Sequence, residues 1–300
     1  DGIDTPNDGT PGQLFTLTVD QDTATVGNGA FGSGDDTVVG IVSSVSNDST
    51  FDPADTVETG DGNDTFNLRM IGQQGSTNQD VSSAGRSATN VENLELSTVF
   101  AGDSANEGTA TVNVADFPDL QSINVVQLQS DASAVGDASD TLNLTQVTSD
   151  QDLTISGSDA DHNIDLDFGS AVSSTSVTLE GATIDDLILA NGQETVNITA
   201  AGDASSSLDV NTSADGDLTT LKVDGSQDLA VQVVSGSFDA NADPKTVDAS
   251  GLGENALSLN LDLTSNTSIT GGTSDGDEII ADVTSASNSE ITDDFTVSDV

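Results

Sequence analysis

Residues 195–223 read TVNITAAGDASSSLDVNTSADGDLTTLKV, and three short strands stand out of them. They are Thr195-Val196-Asn197-Ile198, Ser207-Leu208-Asp209-Val210 and Thr220-Leu221-Lys222-Val223. In each, apolar residues alternate with polar ones, the period of two that turns one face of a strand inward. Between them lie Gly, Asp, Asn and Ser, the residues of tight turns. The same unit recurs in both directions. Upstream it is seen in Glu92–Leu96, Ala110–Val114, Ser122–Val125, Thr141–Leu144, Asp152–Ile155 and Ser176–Leu179, and downstream in Ala256–Leu261. Helical periodicity is almost absent.

The interval carries more information than any one strand. Leu142, Leu153, Ile164, Val177, Leu187, Val196, Leu208 and Leu221 follow one another at a mean of about 11 residues. One short strand and one tight turn at that interval fit a parallel β-solenoid with about 22 residues in a two-strand coil. An array of immunoglobulin-like sandwiches shows turn signals at similar spacing, but the chain has no Trp, Tyr or Cys. The expected fold class is all-β: a right-handed parallel β-solenoid, β-helix or β-roll, with Asp-, Gly- and Asn-rich turns. The expected division is a lead-in strand region at 1–30, a segment of calcium-type turns at 31–98 and further rungs at 99–300. Together these make one continuous rod, a fragment of a longer chain.

Composition narrows the chemistry. The 300 residues hold 52 Asp and Glu against 4 Lys and Arg, a net charge of −48. Nucleic acid is excluded as a partner on this balance, because four cations do not offset phosphate repulsion. Disulfides, thiol chemistry and cysteine zinc sites are excluded outright. No apolar run approaches the roughly 20 residues of a membrane span. The charge is mostly Asp, which suits turns and supplies hard oxygen ligands of the kind Ca²⁺ takes. A solvated acidic surface adapted to a saline habitat accounts for the same charge.

Two turns carry a sharper signal. Gly32-Ser33-Gly34-Asp35-Asp36-Thr37-Val38 and Gly60-Asp61-Gly62-Asn63-Asp64-Thr65-Phe66 share G-x-G-x-D-T followed by an apolar residue. Glycine permits the turn and bares backbone carbonyls. The Asp gives a charged oxygen where the strand begins. Candidate metal ligands are therefore Gly32, Gly34, Asp36, Gly60, Gly62 and Asp64. Asp55, in Asp55-Thr56-Val57, repeats the exit without the glycines, and weaker echoes place Asp140, Asp275 and Asp277 in the same set. Asp36 and Asp55 are 19 apart, and Asp55 and Asp64 are 9 apart. In a β-roll of 18 residues per coil, this puts Asp36 and Asp55 on one edge and Asp64 on the other.

These turns, with the rung Thr89-Asn90-Val91-Glu92-Asn93-Leu94-Glu95-Leu96, resemble the RTX-type bacterial surface-layer proteins and their large adhesin relatives. The likeness extends through Gln13–Thr18, Gln193–Ile198, Leu218–Ser226, Lys245–Leu252 and Ile269–Gly272. The resemblance implies a calcium-dependent β-solenoid exported by a type I route and assembled with copies of itself into a lattice on the outer membrane. It also implies contact with outer-membrane polysaccharide through a region outside these residues. Ca²⁺ is the expected cofactor and the cell surface the expected location. The stalk of an RTX adhesin or a biofilm matrix protein is the alternative.

An enzyme is not expected. A polysaccharide-active β-helix would draw on paired carboxylates such as Asp35/Asp36, Asp185/Asp186 and Asp293/Asp294, which composition alone produces here. His162 is the one histidine, in Asp159-Ala160-Asp161-His162-Asn163, and reads as a solvated turn residue. Asn-x-Ser/Thr triplets at Asn47, Asn63, Asn143, Asn197, Asn211 and Asn266 follow from the same composition, with a glycosylated archaeal surface layer as their alternative reading.

Overall fold

Strand alternation and turn chemistry produce parallel strands throughout the computed structural model. It describes residues 11–298 apart from 73–78, 101–107, 130–139, 170–172, 191–193, 213–217, 235–236, 239–244, 264–266, 275 and 284–295. The chain divides into two units, Asp1–Asp152 and Leu153–Val300. Each unit is a parallel β-solenoid.

In the first unit, one sheet stacks β1 (Leu14–Thr16), β3 (Thr37–Ser43), β5 (Thr65–Gly72), β8 (Asn93–Phe100) and β10 (Ser122–Gln127) in that order. A second holds β2 (Thr23–Thr25), β4 (Thr56–Glu58) and β7 (Ala88–Thr89). A third holds β6 (Val81–Ser82), β9 (Thr109–Asn113) and β11 (Asp140–Val147). Register is continuous from β3 to β8, with Thr37 beside Thr65 and Thr65 beside Asn93, and shifts between Val125 and Gln127 where β10 joins β8. Contacts from β3 to β5, β5 to β8 and β8 to β10 span 28 or 29 residues, whereas those from β1 to β3 span 23. The longer steps exceed the expected 22, and the 23-residue step from β1 to β3 is close to it.

The longer circuit also widens the interior. Phe51, Phe66 and Phe117 are fully buried and meet at centroid distances of 4.8, 5.6 and 6.3 Å. Gly40 lies under them, where a Cβ would come within 3.1 Å of the Phe66 ring. Aromatic rings of this kind bury more area than any aliphatic side chain.

In the second unit, β12 (Asp152–Ile155), β14 (Ser174–Glu180), β16 (Thr195–Ala201), β18 (Thr220–Gly225), β20 (Lys245–Gly251), β22 (Thr267–Thr270) and β24 (Thr296–Ser298) form one sheet. Facing it are β13 (His162–Phe168), β15 (Thr183–Ala190), β17 (Ser206–Asn211), β19 (Leu229–Val233), β21 (Leu257–Leu263) and β23 (Glu278–Val283). Two strands make a coil, as the interval of about 11 requires. The marker residues fall alternately in the two sheets and pair with the next coil: Leu153 with Val177, Val196 with Leu221, Ile164 with Leu187. All of them are buried. A fully buried Leu, Ile or Val contributes about 1.5–3 kcal/mol, so these columns are the main source of stability.

Candidate functional site: the stacked glycine–aspartate turns

The two glycine turns lie directly on one another. Each strand of the first sheet begins one coil after its neighbour, so the turns that precede β3 and β5 stack. Gly60 and Gly62 take φ of 104° and 149°, backbone that side chains rarely adopt. A Cβ at Gly60 would sit 2.6 Å from the Gly32 carbonyl oxygen, and one at Gly62 would sit 2.5 Å from that of Gly34. Four of the candidate ligands are thereby placed together, two glycines bearing carbonyls under two glycines that leave room for them.

The aspartates of these turns point inward. Asp36 and Asp64 are 1% and 0% exposed, because each lies two residues before the first core residue of its strand, in phase with Val38 and Phe66. Their carboxylates hold the coils together. Asp36 accepts from the Gln13 N–H at 2.6 Å and from the Gly32 N–H at 3.1 Å. Asp64 Oδ1 accepts the Asp36 N–H at 2.7 Å, and Glu92 Oε2 accepts the Asp64 N–H at 2.8 Å. One acid per coil thus receives the backbone donor of the coil before it. A charged acceptor strengthens such bonds.

This geometry corrects the β-roll expectation. Asp36 and Asp64 share an edge. Asp55 is elsewhere, accepting the Asp22 N–H at 2.8 Å and the Asp52 N–H at 2.7 Å. Glu92, absent from the candidate set, is the third member of the ladder. Its signal was the interval of 28 residues that separates both Asp36 from Asp64 and Asp64 from Glu92. The other candidates repeat the device singly. Asp140 accepts the Gly108 N–H at 2.6 Å, and Asp277 Oδ1 accepts the Leu257 N–H at 2.9 Å. Asp275 lies outside the described residues, as do Asp293, Asp294 and Asn266.

Electrostatics mark Asp64 out. Burial pushes its carboxyl above the usual aspartate range, and the Asp36 and Asp35 carboxylates push the same way. Glu92 is raised first by burial and then by Asp64. Asp64 Oδ2 is buried and receives no hydrogen bond. The Thr59 hydroxyl beside the carboxylate opposes the shift, and the same hydroxyl also lies against the Asn90 and Thr89 carbonyls. An acceptor oxygen left so is the kind a hard cation would fill. The oxygen chemistry fits Ca²⁺. The acids, however, are spread one to a coil, and among the described residues no three His, Cys, Asp or Glu side chains gather into a metal cluster.

Two basic or titratable residues also sit where the turn chemistry did not place them. His162 is fully buried at the start of β13, in phase with Ile164, Leu166 and Phe168, rather than solvated at a turn. Burial pushes its pKa down to about 4, with Asp159 opposing. Arg86 reaches across a coil corner to the Phe51 and Ser82 carbonyls.

No protein-family model, curated protein or solved structure matches the chain. No helix among the described residues is long and apolar enough to cross a membrane.

Proposed function

We propose that this chain is a structural, non-enzymatic component of an extracellular surface layer of the RTX type, joined to other copies of itself and rigidified by calcium. The solenoid units are the scaffold. The observation that supports calcium is the buried Asp64 Oδ2 without a donor, inside a stack of acids and bared glycine carbonyls. Calcium there would offset the repulsion among Asp35, Asp36, Asp64 and Glu92 and tie the 28-residue coils together. Calcium bound at neighbouring acidic faces would also lessen repulsion between copies, each carrying −48.

The test is removal of calcium. A cation bound only to the folded chain stabilises it by about 2.7 kcal/mol at a hundred times its Kd. Chelator should lower the melting temperature and dissolve sheets or filaments seen by electron microscopy, and added calcium should restore both. Unchanged melting and assembly in excess chelator would sink this reading. A calcium-stabilised chain that stays monomeric at every concentration would instead be an adhesin stalk.

A further inference from the structure

We propose that Asp209, backed by Asp186 and Asp185 on the neighbouring strand, takes up a proton at mildly acidic pH, and that this protonation relieves a like-charge stack that weakens the second unit at neutrality. Asp186 on β15 and Asp209 on β17 are register partners on adjacent parallel strands. Strands so paired are about 4.8 Å apart, which stacks like charges. An irregularity between Thr183 and Asp186 shifts the register. Asp185 and Asp186 are both half-buried as a result, instead of facing opposite sides.

Nothing cationic faces the pair. On β13, Asp165 and Asp167 carry charge of the same sign, and His162 is buried in the core. On β15 the only other charged residue is Asp185. β17 and β19 have no other charged side chain, and no Lys or Arg occurs on any of the four strands. The nearest polar partners are neutral: Gln232 Nε2 donates to Asp209 Oδ2 at 2.9 Å, and Asn211 Nδ2 donates to Asp186 Oδ2 at 3.4 Å. Burial, then Asp186, then Asp185, push the Asp209 carboxyl up to about 6. Asp186 is raised by burial and Asp185 against the Asn211 bond.

The sign follows from linkage. A carboxyl whose folded pKa exceeds its unfolded value binds a proton preferentially in the fold, so the stability this one group contributes rises as pH falls through the folded value toward about 4, against the opposite contribution of His162. The experiment is a carboxyl-carbon NMR titration of the whole chain labelled at Asp, with melting curves from pH 7.5 to 5 for wild type, Asp209→Asn, Asp186→Asn and the exposed-turn control Asp203→Asn. Asp209 should titrate near 6 in wild type and closer to the ordinary range in Asp186→Asn. Asp209→Asn should melt higher than wild type at pH 7.5, and that advantage should shrink as the pH is lowered to 5, while Asp203→Asn should keep a constant offset from wild type. An Asp209 midpoint near 4, read on the wild-type chain, overturns the proposal even where a variant fails to fold. So does an Asp209→Asn chain with the wild-type pH response.

Discussion

The Asp64 carboxylate, one 28-residue coil beyond Asp36, accepts the Asp36 backbone N–H at 2.7 Å within a buried edge. A residue that the turn motif marks as a candidate metal ligand is therefore a structural acceptor. Asp64→Ala strands that N–H without a partner, which costs about 1–3 kcal/mol. Asp64→Asn keeps an acceptor oxygen and removes the charge. In calcium-free solution the Ala variant should lower the urea midpoint clearly more than the Asn variant. Equal loss in both would mean that the charge, not the hydrogen bond, holds the edge.

Gly62→Ala meets both a forbidden backbone and the Gly34 carbonyl 2.5 Å away. The backbone alone contributes about 1–3 kcal/mol of destabilisation, and the contact adds to it. Gly29 has φ of 78° but open space around it, so Gly29→Ala should cost only about 1–2 kcal/mol. Comparing the two melting temperatures separates stacking of the turns from simple turn strain.

The Phe51–Phe66–Phe117 cluster makes the first unit sensitive to truncation. Phe66→Ala should destabilise by about 3–5 kcal/mol, measured by denaturant unfolding with a probe in residues 11–152. A loss below about 1 kcal/mol would show that the rings are not packed as described.

His162 has its folded pKa depressed to about 4 from an ordinary 6.5. Its neutral form is favoured in the fold, so stability is complete above pH 6.5 and is lost as pH falls toward 4. The expected loss is roughly 3 kcal/mol over that window. Carboxylates titrate there too, so the measurement is the difference between wild type and His162→Leu. The variant should show a shallower fall; parallel curves would place His162 in solvent.

Much of the fold was legible because alternation and interval are properties of the backbone. Leu153 and Val177, 24 residues apart, pair as a two-strand coil demands. The first unit hid its longer coil, since β4 and β7 are too short to show alternation, at three and two residues. The nine-residue gap from Asp55 to Asp64 imitated a nonapeptide, and so put Asp64 on the wrong edge. Glu92 escaped notice because no glycine precedes it. His162 misled through its polar neighbours Asp161 and Asn163, although its phase with Ile164 already pointed inward. Phase also accounts for Asp36, Asp64, Asp140 and Lys245, each two residues before a core apolar side chain and each buried. Composition alone reads such residues as surface.

The 28-residue step has a consequence for how this chain can grow. Asp36-Thr37 and Asp64-Thr65 are the same dipeptide at the same point of successive coils. Duplicating residues 37–64 would join Asp64 to Thr37 and recreate that dipeptide at the seam. The added turn would bring its own Gly60, Gly62 and Asp64, and the added interior its own Phe51. An insertion of an odd number of residues within a strand would instead exchange inside for outside along the rest of that strand. Adding one whole 28-residue coil would thus lengthen the first unit without inventing new contacts.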